Sequence, residues 1–488
     1  MRILAINLIL AASALALDQA PLQLQDSSSG NIPDIIRNND THGRPNIVFI
    51  LVDDQDLQMD SLSYTPHTNH YIRDQGVFYK NHFVTTALYL SPIRYVTWTH
   101  QRQPLRLHSC LGGYPKFVSE GHNENWLPLW LQDAGYNTYY TGKLFNAHTV
   151  DNYNLPFAKG FNTSDFVLDP YTYQYLHPVY QRNHDPPISY SGQHTIDVLR
   201  KKALDLLDDA VAESHERPFF LTIAPIAPHS NFEMTNASDY TTFRFSAPIP
   251  LERHKDLFPE VKVPRTEHFN PDQVFDEIVE QIVQRLEDAG VLDNTYIFYT
   301  SDNGYHIGQH RLHPGKECGF EEDIRVPMFI RGPGIPSGEE VGFVTTHIDL
   351  APTIFEIAGL DLKEEFDGTP VPLTARDVEE EKLSKGRHEH VNVEYWGKAG
   401  FEGEMSRAHA LLLVLKSCKG LTCVKPWEVL HPAGDVQTLS DALDDVFDVF
   451  YDEQIKVEYG WCEEGYIVEA EGPQVPAIYQ GTRWSDWW

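Results

Sequence analysis

The stretch Asn46-Ile47-Val48-Phe49-Ile50-Leu51-Val52-Asp53-Asp54 decides the fold. Its apolar run is unbroken and then stops on two carboxylates. A strand with one wet face alternates apolar and polar residues, whereas a continuous β-branched run predicts a strand buried on both faces. The pattern returns along the chain. Tyr136 to Thr141 leads into Gly142-Lys143, Pro218 to Ala224 into Ala227-Pro228-His229, and Thr295 to Thr300 into Asp302-Asn303. Apolar residues at helical spacing predict helices between them. One spans 194–213, with Ile196, Leu199, Ala203, Leu206, Leu207 and Ala210 on one face. Another spans 272–289, with Phe275, Ile278, Ile282 and Leu286, and a shorter one spans 125–131. Strands alternating with helices predict an α/β sandwich.

The ends of the chain carry different signals. Arg2 followed by the apolar run Ile3 to Leu15 and the small residues of Ala14-Leu15-Ala16 reads as a signal peptide over 1–16. Residues 17–44 read as a flexible lead-in, 45–385 as the main domain and 386–488 as a smaller C-terminal domain. Asn39, Asn162 and Asn236 begin Asn-x-Ser/Thr sequons, in keeping with a secreted or vacuolar protein. No later stretch is long and apolar enough to span a membrane. Of the five cysteines, Cys418 and Cys423 are spaced for a local disulfide; Cys110, Cys318 and Cys462 show no zinc-site spacing. With 70 acidic against 38 basic residues, the net charge of −32 excludes a nucleic-acid-binding field or a polybasic anchor. It does not exclude an anionic small ligand, which needs only a local cluster of cations.

In open α/β sheets, ligands bind beyond the carboxyl ends of the strands, and the polar residues gather there. Asp53, Asp54, Asp302 and Asn303 form an all-oxygen donor set suited to a hard divalent cation such as Ca²⁺ or Mg²⁺. Arg94, Lys143, His229 and Lys316 lie in further strand-end loops. Together with a metal they could clamp a tetrahedral oxyanion such as sulfate or phosphate.

The stretches Asn46–Asp54, Gly135–Lys143, Ala227–Ser230, Ser301–His306, Gly315–Pro327 and Arg331–Gly334, in that order and spacing, resemble a sulfatase. The likeness is greatest to secreted fungal arylsulfatases, a branch related to glucosamine-6-sulfatases. The resemblance implies an alkaline-phosphatase-like fold with a central mixed sheet, and an antiparallel sheet in the smaller α+β domain. It implies Ca²⁺ held by Asp53, Asp54, Asp302 and Asn303, and hydrolysis of sulfate esters. Arg94 matches the Arg of the Cys-x-Pro-x-Arg signature. Lys143, His229 and Lys316 match the sulfate-binding and leaving-group residues, with His148 and His306 close by in sequence.

The signature itself is altered to Leu90-Ser91-Pro92-Ile93-Arg94. Sulfatases convert its first residue to formylglycine, the nucleophile. Leu90 carries no heteroatom, so it can neither be that aldehyde nor attack sulfur, and a formylglycine-generating enzyme has nothing there to modify. Ser91 is one place along, where its side chain points elsewhere. Residues 95–112 match the family poorly, and a segment the family carries after Pro271 is missing. Three readings stay open: a calcium-dependent sulfatase, a sulfatase-like protein that binds metal and ester without turnover (a decayed paralogue or a mis-spliced gene model), and a phosphatase of the same superfold.

Overall fold

Asn46–Val52 is a strand, β1, and every residue in it is buried. Successive side chains leave opposite faces of a strand, and here each face has its own core. Ile47, Phe49 and Leu51 pack with Trp126, Leu127, Leu131 and Ile354. Val48, Ile50 and Val52 pack with Leu199, Leu206, Ile282 and Leu286. Helices therefore cover the sheet on both sides, as an uninterrupted apolar strand requires.

The computed structural model describes residues 43–85, 113–234, 243–255, 276–307, 315–316, 319–383 and 393. The expected signal peptide, the Leu90–Arg94 loop, all five cysteines, the sequons at Asn39 and Asn236 and, apart from Val393, the C-terminal domain lie outside these residues.

The further strands are β2 (Val77–Phe83), β3 (Asn137–Lys143), β4 (Thr163–Val167), β5 (Val179–Arg182), β6 (Ile188–Ser189), β7 (Phe219–Ala224), β8 (Asn231–Met234), β9 (Phe243–Ser246), β10 (Thr295–Ser301), β11 (Met328–Arg331) and β12 (Glu339–Thr346). Among the described residues, ten strands form one sheet in the order β12-β2-β11-β10-β1-β7-β3-β4-β5-β6, with β8 and β9 paired apart. The central run β10-β1-β7-β3-β4 is parallel. Antiparallel pairs adjoin it at β10/β11 and β4/β5, so the expected α/β sandwich with a central mixed sheet is present.

The helices fall close to their expected places. Thr195–Glu213 is capped by the His194 side chain, which accepts the Ile196 N–H, and all six expected apolar residues are buried. Glu277–Asp288 covers the described part of the second. The short helix is Leu127–Asp133 instead of 125–131. Pro128, which has no N–H to offer, belongs in a first turn, and that moves the start along the chain.

Candidate active site

Parallel strands end on one edge, so the register of the sheet brings distant residues together. Val52 pairs with Ser301, and the Asp302 N–H donates to Val52 O at 3.0 Å. Asp53 and Asp302 thus become neighbours. A bridge between Asp53 and Pro228 carries the alignment toward His229. Lys143 ends β3, after Gly142 at φ 107°. A Cβ on Gly142 would lie 2.0 Å from Ala224 O, so only glycine lets β3 approach β7 there. Lys316 arrives on a loop pinned by two hydrogen bonds between Gly315 and His306, at 2.8 and 2.9 Å.

Asp53, Asp54, Lys143, His229, Asp302, Asn303 and Lys316 are all buried. Lys143 Nζ donates to Asp53 Oδ2 at 2.6 Å and lies 3.6 Å from Asp302 Oδ2. Lys316 Nζ donates to Asp54 Oδ1 at 2.5 Å and lies 3.5 Å from Asp53 Oδ1. The Asn303 amide donates to Asp54 Oδ1 at 2.7 Å, and the Asp54 N–H to Asp302 Oδ1 at 3.1 Å. Asp54 adopts φ 72°, an uncommon backbone state for a residue with a Cβ, of the kind that persists at functional sites.

Burial and charge act against each other here. Burial favours neutral Asp53, but Lys143, Lys316 and His229 outweigh it and hold the carboxyl well below its ordinary range. Asp302, buried and beside Asp53, is pushed up to about 7. Burial opposes charge on both lysines, yet Asp53 above all for Lys143, and Asp54 above all for Lys316, raise them past ordinary lysine. Burial lowers His229 despite the nearby Asp54.

One polar atom among these has no partner. Asp54 Oδ2 is buried without a hydrogen bond, 3.7 Å from His229 Nε2. His229 Nδ1 lies 2.9 Å from Ser230 O. A carbonyl only accepts, so Nδ1 carries the hydrogen and Nε2 faces the carboxylates. Asp53, Asp54 and His229 offer ligand atoms all within 4.8 Å of one another. Three carboxylates share two ammonium groups, leaving one negative charge when all are ionised. An orphaned carboxylate oxygen in an acidic, oxygen-rich cluster fits a divalent cation.

Of the residues singled out in the sequence, Asp53, Asp54, Lys143, His229, Asp302, Asn303 and Lys316 meet in this cluster. Leu90 and Arg94 lie outside the described residues. His148 packs between Tyr114 and Phe166, at ring distances of 4.1 and 5.3 Å, and neither of its nitrogens has a hydrogen-bond partner. His306 sits one layer back, with Nδ1 2.7 Å from Asp323 Oδ1. Sequence reasoning gave no role to Asp323, Tyr173 or Tyr175, which pack around the cluster. The tyrosine density of 171–175 was the available signal.

A family model described as Sulfatase matches residues 45–360, and the chain belongs to this family. An arylsulfatase of Volvox carteri is 32% identical over 539 residues, covering 86% of this chain and 82% of the relative. An N-acetylglucosamine-6-sulfatase of Homo sapiens is 32% identical over 358 residues, covering 67% of this chain and 63% of its own. Among solved structures, a protein in complex with its substrate D-glucosamine-2-N,6-O-disulfate shares the fold, at a TM-score of 0.50 and 19% identity over 67% of this chain and 79% of that one. The family and its arylsulfatase relatives support sulfate ester hydrolysis as the reaction class.

Proposed function

We propose that this protein is an arylsulfatase-type, calcium-dependent sulfuric ester hydrolase by construction of its site, exported from the cell. The observation carrying this is the convergence of Lys143, Lys316 and His229 on a buried carboxylate cluster with an orphaned oxygen, Asp54 Oδ2. In this reading Asp53, Asp54, Asp302 and Asn303 hold the ion, Asn303 by turning its amide oxygen inward. Calcium would supply charge that polarises a sulfate oxygen. Lys143, Lys316 and Arg94 bind the remaining sulfate oxygens. When an oxygen nucleophile forms the new bond to sulfur, the ester's S–O bond breaks and leaves an alkoxide that needs a proton. His229, whose Nδ1 already carries a hydrogen, gives one from Nε2 only in its imidazolium form. Substrates are small-molecule or glycan sulfate esters. No helix of the described residues is long and apolar enough to cross a membrane.

Leu90 favours a second reading for the literal chain: metal and ester bind, but no nucleophile turns the ester over. One assay separates the readings. Native protein and Leu90→Cys, each co-expressed with a formylglycine-generating enzyme, are given an aryl sulfate and calcium. Turnover only by Leu90→Cys supports an intact site missing its nucleophile. Turnover by native protein rejects the binding-only reading. A folded but inactive Leu90→Cys rejects Leu90 as the single defect and implicates the segment missing after Pro271.

A further inference from the structure

His229 is held by more than its strand end. Its imidazole lies flat on the phenol ring of Tyr173, with centroids 4.0 Å apart and planes 22° apart. The same ring is 5.3 Å from Lys143 Nζ. The Tyr173 hydroxyl donates to Asn146 Oδ1 at 3.2 Å, and its carbonyl accepts the Phe232 N–H at 3.0 Å. Two residues on, the Tyr175 N–H donates to Asn231 Oδ1 at 3.1 Å, and its hydroxyl donates to His229 O at 2.8 Å. Phe232 closes the group, 4.8 Å from the Tyr173 ring and 5.3 Å from the imidazole.

We propose that Tyr173 and Tyr175 are positioning residues that set the plane of the His229 imidazole and hold it and Lys143 toward one sulfate group. The inference rests on the reading of His229 and Lys143 as ester-binding groups. The Nδ1 bond to Ser230 O fixes one point of the imidazole and leaves the ring able to tilt about it. A flat aromatic surface removes that freedom. Its electron-rich face also suits the Lys143 ammonium group 5.3 Å from its centroid, more so in a desolvated setting. The Tyr175 hydroxyl anchors the backbone from which His229 projects. Space-filling alone would need neither a ring plane nor a hydroxyl.

Equilibrium binding of inorganic sulfate to the calcium-loaded full chain tests this, with thermal unfolding measured alongside. Tyr173→Phe keeps the ring and should bind within about twofold of native, whereas Tyr173→Leu keeps apolar bulk without a plane and should bind about tenfold more weakly at similar thermal stability. Tyr175→Phe should weaken binding about threefold, the effect of one lost neutral hydrogen bond. Tyr173→Leu binding like native overturns the proposal, as does Tyr173→Phe binding as weakly as Tyr173→Leu. If Tyr173→Leu does not fold, Tyr175→Phe decides, and unchanged binding there overturns it. His229→Ala distinguishes the levels: weakened binding in His229→Ala with none in the tyrosine variants removes only the brace. Native-like binding in His229→Ala, or no sulfate binding by the native chain, removes the reading of the site and the brace with it.

Discussion

On β4, the buried Asp165 carboxylate takes Lys202 Nζ at 2.7 Å on one oxygen and Arg182 Nη1 at 3.2 Å on the other. Lys202 is further flanked by the Tyr180 and Tyr190 rings, 4.9 and 4.8 Å away. At the ends of β1 and β10, three carboxylates share two ammonium groups and leave Asp54 Oδ2 with no hydrogen bond. The carboxylates of both groups are buried and belong to strands, or strand ends, of the same sheet. In the first, every carboxylate oxygen has a cationic donor, which is how a buried charge is made tolerable for stability. In the second, negative charge is in surplus and an oxygen is orphaned, a cost that makes sense when a ligand completes the set. Burial of charge is shared by the two; incompleteness separates them.

The largest expected effect falls on the complete group. Asp165→Asn would put an amide nitrogen opposite a cation and leave Lys202 buried without its counter-charge. The loss should be about 3 kcal/mol of stability, read by chemical denaturation. A loss below about 1 kcal/mol, the scale of an exposed pair, would break the contrast.

Completing the other group should have a comparable effect in the opposite direction. Calcium at a hundredfold excess over its dissociation constant should add about 3 kcal/mol of stability. The check is a rise in Tm with calcium that a chelator reverses. A Tm indifferent to calcium, or a rise that persists in Asp54→Asn, would contradict the proposed ligand set.

His148 sharpens the comparison from outside it. Its nitrogens are orphaned too, but aromatic rings surround it in place of charges. Burial holds its folded pKa at about 3, against 6.5 ordinarily. A depressed folded value means that the neutral ring's contribution is complete above about 6.5 and is lost as pH falls toward 3. At pH 5 that loss is about 2 kcal/mol. His148→Phe should flatten the stability profile between pH 6.5 and 5 by about that amount, and leave sulfate binding unchanged. Weakened binding would place His148 in the site after all.

These contrasts also explain what could be read from the sequence. The strand β1, the helix Thr195–Glu213 and the strand-end residues were legible because each is written locally, as an apolar run, a helical spacing or a polar stop. The short strand β5 and the exposed edge strand β6 were not, since segments of four and two residues are formed by pairing with neighbours. Strand β12 was hidden by the register shift between Val341 and Val344, which breaks its alternation. The members of the site were legible, but their supports were not. Asp323 holds His306, and Tyr175 reaches the His229 carbonyl from 54 residues away. A contact between two ordinary polar residues acquires meaning only after the chain has brought them together. The same holds for Asp165, Arg182 and Lys202, ordinary surface residue types until the β4–β5 pairing buries the carboxylate.

The smallest effect is the most discriminating, because it repeats the first substitution in the other group. Asp302→Asn retains an oxygen to accept the Asp54 N–H, now 3.1 Å from Asp302 Oδ1. It removes a carboxyl whose charge burial and Asp53 already disfavour, so two carboxylates would face two ammonium groups. Against that gain stands a weak loss: Lys143 Nζ, already bonded to Asp53 at 2.6 Å, would meet an amide nitrogen where Asp302 Oδ2 now lies at 3.6 Å. Without calcium, these nearly cancel, and stability should change by less than about 1 kcal/mol, in either direction. With calcium, the variant should lose most of the stabilisation that the native protein gains. If Asp302→Asn instead costs as much as Asp165→Asn in calcium-free buffer, the strand-end carboxylates are structural ion-pair partners like Asp165, and surplus charge is no guide to function in this sheet.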